Sequence, residues 1–318
     1  MTRPFRFIAA MPPPVGTVAE WRDSVHRIED GGFDAVSVSE HLTGGWQFDA
    51  LTAMTAILAA TSRLRVLSLV LASDLHNPGL LHRAAATMDA LSGGRLDLGL
   101  GAGWMDRDYR AAGVPFAPTG ERIERLGEAV TIIKGLFRAP TFTFAGRYYA
   151  ITEAEGLPRP TQLPHPPILI GGGGRAILGL AAREADIIGV HARLGGTGLG
   201  REAVRDFAEE EVVAKVAFVR DAVQAASRSP ESIELQWTIY EFRITDDPRG
   251  ETEGTSSFAR LLRADPELMA RSPAVLVGSL TSCVERLLEL RERFGFNVIK
   301  LSGDAEAAAP IVTALAGR

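Results

Sequence analysis

Strand-like and helix-like segments alternate eight times along this chain of 318 residues, and this alternation limits its fold more than any other feature. Each short apolar run is followed by a segment whose apolar residues recur at helical spacing. Strands of this kind are buried on both faces, which is typical of a parallel sheet. Eight strand–helix pairs in about 250 residues, plus insertions, predict an α/β protein of the (β/α)8 TIM-barrel class.

Capping and turn residues divide these segments. Thr17 and Glu20 have the spacing of a capping box, Asn77-Pro78 and Ser279 begin later helices, and Ala145-Gly146 turns a predicted hairpin. Extra material lies in or beside loops that follow strands, and in a barrel those loops build the active-site face. The strands are predicted at 5–10, 34–41, 64–72, 95–104, from 168 into a glycine run, 185–191, 233–244 and 297–303. A long helical stretch is predicted at 199–227. The extra segments lie at 104–118, 138–166, 192–210 and 245–275.

The whole chain, residues 1–318, is predicted to form one barrel domain. A doubly wound dinucleotide-binding sheet is the alternative, because Gly171, Gly173 and Ala176 match the spacing G-x-G-x-x-A. That fingerprint expects an acidic residue about 20 positions later, on the next strand. His191 and its preceding valine occupy that place, so the barrel is favoured.

Composition excludes several classes of protein. The net charge is -5 without a basic stripe, so nucleic acid is not expected as a partner. No apolar run reaches the roughly 18 residues of a membrane span, and no signal peptide is recognised, so we expect a cytoplasmic protein with no membrane partner. The single cysteine, Cys283, excludes an internal disulfide. The histidines form no metal-binding pair, so no metal is expected, and His26 and His82 are predicted on exposed helix faces.

Four consecutive glycines, Gly171–Gly174, separate the fifth strand from its helix. Glycine loses more conformational freedom on folding than any other residue, so such a run indicates a place where side chains are not tolerated. Backbone amides at a helix N-terminus bind anions, and loops in the second half of a barrel often hold phosphate. Close strand–helix packing is the plainer alternative. With Arg175 adjacent, we predict a phosphate site in this loop.

Candidate acid–base residues follow the second strand. Glu40 and His41 lie where that strand reaches the barrel mouth, and a carboxylate near an imidazole can transfer protons at neutral pH. A solvated strand end is the alternative. His191 ends the sixth strand and is predicted to border the same pocket. Asp74 and His76, after the third strand, are equally well explained by helix capping and loop hydrogen bonds.

The segment after the fourth strand combines small residues with a tryptophan. Gly101, Ala102 and Gly103 would let a ligand approach the backbone closely, and Trp104 would form a flat apolar wall. The alternative is that these small residues are needed for packing inside the barrel.

These segments together resemble the bacterial luciferase-like family, most closely its coenzyme F420-dependent branch. The similarity is carried by GFDAVSVSEH, NPGLLHRAAATMDALSGGRLDLGLGAGW, PTGERIERLGEAVTIIKGLF and PPILIGGGGRAILGLAAREADIIG, which span most of residues 5–190. The resemblance implies a luciferase-like barrel with insertions, usually a homodimer, with the cofactor ring over its mouth. A bulge in the third strand, often with a non-prolyl cis peptide, supports the ring and would fall at Leu69–Val70. The cofactor phosphate would bind Gly171–Gly174.

One position departs from the sugar-phosphate dehydrogenases of that branch. Those enzymes carry an acidic residue, a histidine and then a tryptophan, and Glu40, His41 and Trp46 are similar in order, with one extra residue before the tryptophan. They also carry a glutamate directly after the fourth-strand glycines, where this chain has Trp104. The difference argues against oxidation of a sugar phosphate.

We therefore predict an oxidoreductase that transfers a hydride between coenzyme F420 and a small organic substrate. His41 is the predicted proton donor or acceptor, and Glu40 would contact the cofactor ring or tune His41. A reduced-FMN-dependent monooxygenase on the same fold is the alternative; a metal-assisted hydrolase and a non-catalytic binding barrel are less favoured. The predicted cofactor contacts are Glu40, Leu69, Val70, Gly101, Ala102, Gly103, Gly171, Gly172, Gly173, Gly174 and Arg175, and the predicted substrate pocket comprises Trp46, Trp104 and His191.

Overall fold

In the computed structural model of the protein, eight parallel strands close into a barrel surrounded by helices, so the predicted fold class is confirmed. The structure describes residues 3–45, 48–194, 201–247, 259–260, 264–265, 267, 269 and 271–318, without the side chains of 201–203. The barrel closes because its third strand (from residue 65) pairs with the second strand (from residue 35) on one side and with the fourth strand (from residue 96) on the other.

The elements follow the predicted order. The strands are β1 (Arg6–Ala10), β2 (Ala35–Val38), β3 (Arg65–Ser68), β4 (Leu71–Ala72), β5 (Leu96–Gly101), β6 (Thr141–Ala145), β7 (Ala150–Glu155), β8 (Ile168–Gly172), β9 (Ile187–Val190), β10 (Glu234–Ile239), β11 (Glu241–Ile244), β12 (Val275–Gly278) and β13 (Phe296–Leu301). The helices are α1 (Val18–Asp30), α2 (Ala50–Ala60), α3 (Pro78–Ser92), α4 (Asp106–Ala112), α5 (Thr119–Arg138), α6 (Arg175–Glu184), α7 (Arg201–Asp206), α8 (Glu209–Ala225), α9 (Leu280–Phe294) and α10 (Ala305–Leu315).

The predicted helix ends are confirmed by their capping contacts. The Thr17 side chain accepts a hydrogen bond from the Glu20 amide in a complete capping box. Asn77 and Ser279 cap α3 and α9 through their side chains. Gly295 ends α9 in the left-handed conformation, which glycine adopts without steric cost.

The barrel interior has layers of different chemistry. At its amino-terminal end, Arg6 pairs with Asp97 and, at 2.8 Å, with Glu234, and Arg65 also pairs with Asp97. Side chains alternate along a strand, so the next inward positions form the middle layer. That layer is mostly apolar, with Ile8, Ala35, Leu67, Leu169, Ile187 and Val298 packed together and the buried Gln236 beside Val298. The site must therefore lie above it, at the carboxyl ends of the strands.

Two predicted elements are divided. The predicted seventh strand leaves the barrel after β10, because the Tyr240 amide donates to the carbonyl of Ala274 and β11 then pairs in parallel with β12. The predicted helical stretch at 199–227 breaks between α7 and α8. The break buries Phe207 and the carboxylate of Asp206, which accepts hydrogen bonds from Arg193. Tertiary contacts, not local preference, decide both divisions.

The predicted hairpin forms from β6 and β7 and packs along α5. Glu128 of that helix accepts hydrogen bonds from the amides of Arg147, Tyr148 and Tyr149 at 2.7 to 3.0 Å, which fixes the hairpin tip. Within the described part of the chain, no helix combines the length and the apolar character needed to cross a bilayer.

The prediction that His82 is exposed was wrong. Only 1% of this residue is exposed, and its ring packs 4.6 Å from the ring of Phe137 on α5. Its Nε2 has no hydrogen-bond partner among the described residues, and burial lowers the pKa of His82 to about 4. Helix α3 is covered by α5 as well as by the barrel, so its buried face is wider than an amphipathic pattern indicates. His26 is exposed, as predicted.

Candidate active site

The second strand brings His41 to the barrel mouth, where it contacts a carboxylate. His41 Nδ1 lies 2.7 Å from Oδ2 of Asp108, in the first turn of α4. An ionised carboxylate only accepts hydrogen bonds, so Nδ1 carries the hydrogen. The hydroxyl of Thr43 donates to the other oxygen, Oδ1. The two side chains are 15% and 6% exposed, so this pair is shielded from water.

Asp108 is held in its charged form. Burial alone would raise the pKa of its carboxyl, but hydrogen bonds from Thr43 and His41 outweigh burial and leave the pKa below its ordinary value. Trp104 packs edge-on against the His41 ring with 5.6 Å between the ring centroids. The carboxylate and the indole together fix the plane and the tautomer of His41.

Glu40 is bonded to a different imidazole. Its Oε1 lies 2.8 Å from Nε2 of His76, and its Oε2 accepts a hydrogen bond from the Ala72 amide at 2.8 Å. The carboxylate hydrogen-bonded to His41 is therefore Asp108, and the hypothesis that Glu40 tunes His41 is not supported by the geometry. His76 does not cap α3, because Asn77 does so.

The third strand is interrupted where the resemblance implies a bulge. The Leu69–Val70 peptide bond is cis and separates β3 from β4. Ser39 Oγ donates to the carbonyl of Leu69 at 2.9 Å. A Cβ atom on Gly101 would lie 2.7 Å from Cγ2 of Val70, and one on Gly171 would lie 3.4 Å from its Cγ1. Packing of Val70 thus requires a glycine at 101, so the packing alternative explains part of that pattern.

Ala102 and Gly103 turn the chain out of the fourth barrel strand. The Ala102 carbonyl accepts hydrogen bonds from Nη1 of Arg122 at 2.9 Å and from the hydroxyl of Tyr109 at 3.2 Å. Gly103 has a φ of +69°, and a Cβ there would overlap the side chain of Tyr109. This turn places Trp104 beside the imidazole at the mouth.

The glycine run 171–174 is needed partly because the chain itself packs against it. A Cβ on Gly172 would overlap the side chain of Ile177. A Cβ on Gly173 would lie 2.5 to 2.6 Å from backbone atoms of residues 191–193, which cannot move as a side chain can. The His191 amide also donates to the Gly172 carbonyl at 3.0 Å. The close-packing alternative is therefore correct for the middle of the run.

Gly174 has different surroundings. It caps α6 in an extended conformation, with φ -94° and ψ 155°, and a Cβ there would meet no atom within 4 Å. A cavity of about 120 Å³ lies beside it at the helix N-terminus. The cavity is lined by Gly173, Gly174, Arg175, Leu178, Arg193, Glu211, Ala214, Lys215 and Phe218. Open space, exposed amides and three cations against one carboxylate give this cavity the character of an anion site.

The cations of this cavity are held differently. Arg193 and Lys215 each pair with the buried carboxylate of Asp206 at 2.8 Å. The Arg175 guanidinium lies over the ring of Phe218, 5.3 Å from its centroid, on the exposed side of the helix N-terminus. Two cations share one carboxylate there, so an incoming anion would meet one net positive charge inside and Arg175 at the rim.

His191 follows β9 and closes another side of the mouth. Its Nε2 is hydrogen-bonded to the hydroxyl of Tyr240, and its Nδ1 lies 2.9 Å from the Ala192 carbonyl. Lys215 donates to the carbonyl of His191 at 2.8 Å. Burial lowers the pKa of His191 and raises that of Tyr240, so both are neutral at neutral pH.

Two further predicted residues lie elsewhere. Trp46 falls outside the residues that the structure describes. Asp74 lines a second cavity of about 460 Å³ with His76 and the hairpin tip. Its carboxylate is buried, has no hydrogen-bond partner among the described residues, and lies 3.8 Å from Nη1 of Arg125. Burial raises the pKa of Asp74. Across the described part of the chain, no group of three or more His, Cys, Asp or Glu residues is placed to bind a metal ion.

Comparison with known proteins identifies the family. The sequence profile of the luciferase-like monooxygenases matches residues 4–297. The chain belongs to this family. A glucose-6-phosphate dehydrogenase of Kineococcus radiotolerans, named as F420-dependent, is 30% identical over 79% of this chain and 72% of its own length. A dimethylsulfone monooxygenase of Pseudomonas putida, named as FMNH2-dependent, is 33% identical over a region that covers 50% of this chain and 44% of that relative.

Solved structures agree with this luciferase-like fold. An F420-dependent secondary alcohol dehydrogenase, solved with an F420-acetone adduct, superposes with a TM-score of 0.78 over 98% of both chains at 16% identity. The monooxygenase RslO1 from Streptomyces bottropensis superposes with a TM-score of 0.75 over 97% of this chain and 96% of its own, at 23% identity. Identities this low show the shared fold and no more.

The sequence analysis missed Asp108 and Tyr240. Asp108 lies four residues after Trp104 in a segment taken as an insertion, although D-R-D-Y-R carries the acidic first turn of a helix. Tyr240 follows β10 as His191 follows β9, and the rule that barrel strands end at the active site could have indicated it. Lys300, near the end of β13, was missed for the same reason.

Proposed function

We propose that this luciferase-like protein is an F420-dependent oxidoreductase that transfers a hydride between the deazaflavin and a small organic substrate. The observation that carries the proposal is the shielded His41–Asp108 pair at the barrel mouth. Hydride removal from an alcohol carbon requires that the hydroxyl proton be taken up at the same time. A positioned imidazole is the group that most often does this in enzymes.

The residues at the mouth fit a cofactor of this class. The cavity beside Gly174 offers backbone amides, a helix N-terminus and the Arg175 guanidinium, which are the groups that bind a phosphate ester. Val70 packs against Gly101 and Gly171 on the neighbouring strands, and this segment would support the cofactor ring. When bound, the deazaflavin would supply a two-electron hydride acceptor or donor, and the protein would supply position and proton transfer.

Each residue of the pair has a distinct role in this proposal. Because Nδ1 of His41 donates to Asp108, the neutral ring has its lone pair on Nε2, which would accept the substrate proton. The charge of Asp108 would stabilise the imidazolium that forms. Trp104 would limit the space beside His41, which supports a substrate smaller than a sugar phosphate. Glu40, held by His76, would contact the cofactor.

The relatives support this function at a coarser level. The F420-dependent dehydrogenase from Kineococcus aligns over 79% of the chain, and its name gives both the cofactor and a dehydrogenase reaction. The homodimer implied by the resemblance stays a prediction, as do the cytoplasmic location and the single domain predicted from the sequence.

A reduced-FMN-dependent monooxygenase is the second candidate. The observation in its favour is the FMNH2-dependent Pseudomonas relative, which has the higher identity, 33%, over half of the chain. The cavity beside Gly174 would suit an FMN phosphate equally well. The two candidates differ in what lies beyond the phosphate, since F420 carries an anionic polyglutamate tail and FMN does not.

Fluorescence titration of the purified protein with each cofactor at two salt concentrations tests the proposal. We expect micromolar binding of F420 that weakens with salt, because an exposed anionic tail would be attracted to Arg175. FMN should bind more weakly and depend less on salt. Tight FMN binding without F420 binding would overturn the proposal in favour of the monooxygenase.

A further inference from the structure

Lys300 lies inside the barrel, near the carboxyl end of the eighth barrel strand. Val298, two positions earlier on β13, belongs to the apolar middle layer, so alternation turns Lys300 inward and one level higher. Its register neighbours are Ile8 on β1 and Thr238 on β10.

The ammonium of Lys300 has no counter-ion among the described residues. The chain contains three lysines, and the other two are both paired: Lys134 with Glu184 at 3.0 Å and Lys215 with Asp206 at 2.8 Å. No described carboxylate lies within ion-pair distance of Lys300. A partly buried cation without a partner is costly to keep, and proteins usually keep such groups where they bind something.

The surroundings of Lys300 favour a cation that is ready to bind an anion. Burial lowers the pKa of Lys300 to about 8, so at pH 7 roughly ten ammonium forms exist for each neutral amine. The titratable groups on the neighbouring strand ends are His191 and Tyr240, and both are neutral there. His191 is close enough for the positive charge of Lys300 to contribute to its lowered pKa. Neither neutral group offsets the charge.

Lys300 is also separate from the cavity beside Gly174. That cavity follows β8, and β9 and β10 lie between β8 and β13 in the barrel. The part of the mouth around His191, Tyr240 and Lys300 is polar, and apart from Arg193, which follows the sixth barrel strand, this side takes no part in the proposed cofactor contacts.

We propose that the Lys300 ammonium binds an anionic oxygen of the substrate, so that the substrate is a small carboxylate. The proposal rests on the proposed function, because it places the carboxylate opposite the cofactor half of the mouth. Bound there, the carboxylate would replace the missing counter-ion and orient the carbon skeleton toward His41.

The three lysines make a direct test possible. Reductive methylation with ¹³C-formaldehyde gives each lysine a dimethylamine NMR signal, and Lys300→Arg assigns the signal of interest by its absence. Acetate is the anionic probe, and acetamide is a neutral probe of the same size. We expect acetate to raise the pH midpoint of the Lys300 signal by about one unit at saturation, which corresponds to tenfold tighter binding to the ammonium form. The Lys134 signal should not move.

A Lys300 signal that is unmoved by acetate, or moved equally by acetamide, would overturn the proposal. Lys134→Arg and Lys215→Arg assign the other two lysine signals, so the Lys300 signal is also identified by elimination and the readout stands even if a Lys300 variant fails to fold. Lys300→Met and Lys300→Arg should bind F420 as the wild type does. If neither F420 nor FMN binds to the wild type, the proposed function fails while the acetate result is still interpretable.

Discussion

Side chains added at two adjacent glycines should affect different properties of the protein. At Gly173, a Cβ would lie 2.5 Å from backbone atoms of Ala192 and Arg193, about 0.9 Å closer than the 3.4 Å at which ordinary contacts begin. At Gly174, a Cβ would meet nothing within 4 Å, and the backbone there is extended, which any residue adopts. Gly173→Ala should therefore affect stability, and Gly174→Val should affect ligand binding.

The size of the stability effect follows from the overlap. Overpacking against a backbone that cannot yield costs about 1–3 kcal/mol. Unfolding entropy near 2.1 cal/mol/K per residue gives roughly 0.67 kcal/mol/K for a chain of 318 residues, so Tm should fall by about 1.5–4.5 °C in Gly173→Ala. Gly174→Ala should keep its Tm within about 1 °C, since a compatible backbone accepts alanine at little cost.

The size of the binding effect follows from the anion site. Side-chain methyl groups at 174 would occupy the space beside the amides and displace a phosphate from at least one charge-assisted hydrogen bond, worth about 1.5–3 kcal/mol. Affinity for F420, or for FMN, should then fall roughly 10-fold to 100-fold in Gly174→Val. Differential scanning fluorimetry and fluorescence titration measure the two effects separately, and Gly174→Ala, which adds a smaller side chain to the same extended backbone, is the matched control. Wild-type affinity in Gly174→Val, with its fold retained, would refute the phosphate site.

Three further outcomes are expected. His41→Ala should lower turnover by roughly 10²–10⁴-fold with little change in cofactor affinity. Asp108→Asn, which keeps the shape but removes the charge, should cost about 5–30-fold in kcat with KM little changed. Asp106→Asn, at a half-buried neighbour on α4 that pairs with Arg110, should leave kcat unchanged, and equal losses in both Asp variants would contradict the pairing of Asp108 with His41. His82 has a pKa of about 4 in the folded protein against 6.5 in the unfolded chain, so stability is lost as the pH falls from 6.5 to 4. His82→Leu should flatten the curve of Tm against pH and remove about 2 kcal/mol of the stability loss at pH 5. An unchanged slope of Tm against pH would show that His82 does not contribute. Arg175→Gln should reduce the salt dependence of F420 binding more than that of FMN binding, because Arg175 would meet the phosphate of both cofactors but the anionic tail of F420 alone; an unchanged F420 salt slope would remove Arg175 from the tail site.

The sequence by itself determined the barrel and its order. Hydrophobic periodicity and capping residues are local signals, so the strands, the capping box at Thr17, the cap at Asn77 and the hairpin were all predicted at or near their positions. The break at Leu69–Val70 was also placed, through the family resemblance. What failed were statements about which surfaces are covered, as at His82, because burial depends on how neighbouring helices pack.

The tertiary structure decided how the site residues are paired. Glu40 and His41 are adjacent in sequence, but the end of a strand turns them apart, and each meets a partner from a different loop: His76 for one and Asp108 for the other. The glycine run similarly combines two functions, since Gly173 is needed by the backbone of residues 191–193 and Gly174 faces open space. Both distinctions depend on contacts between segments many residues apart, and those contacts exist only once the barrel has closed.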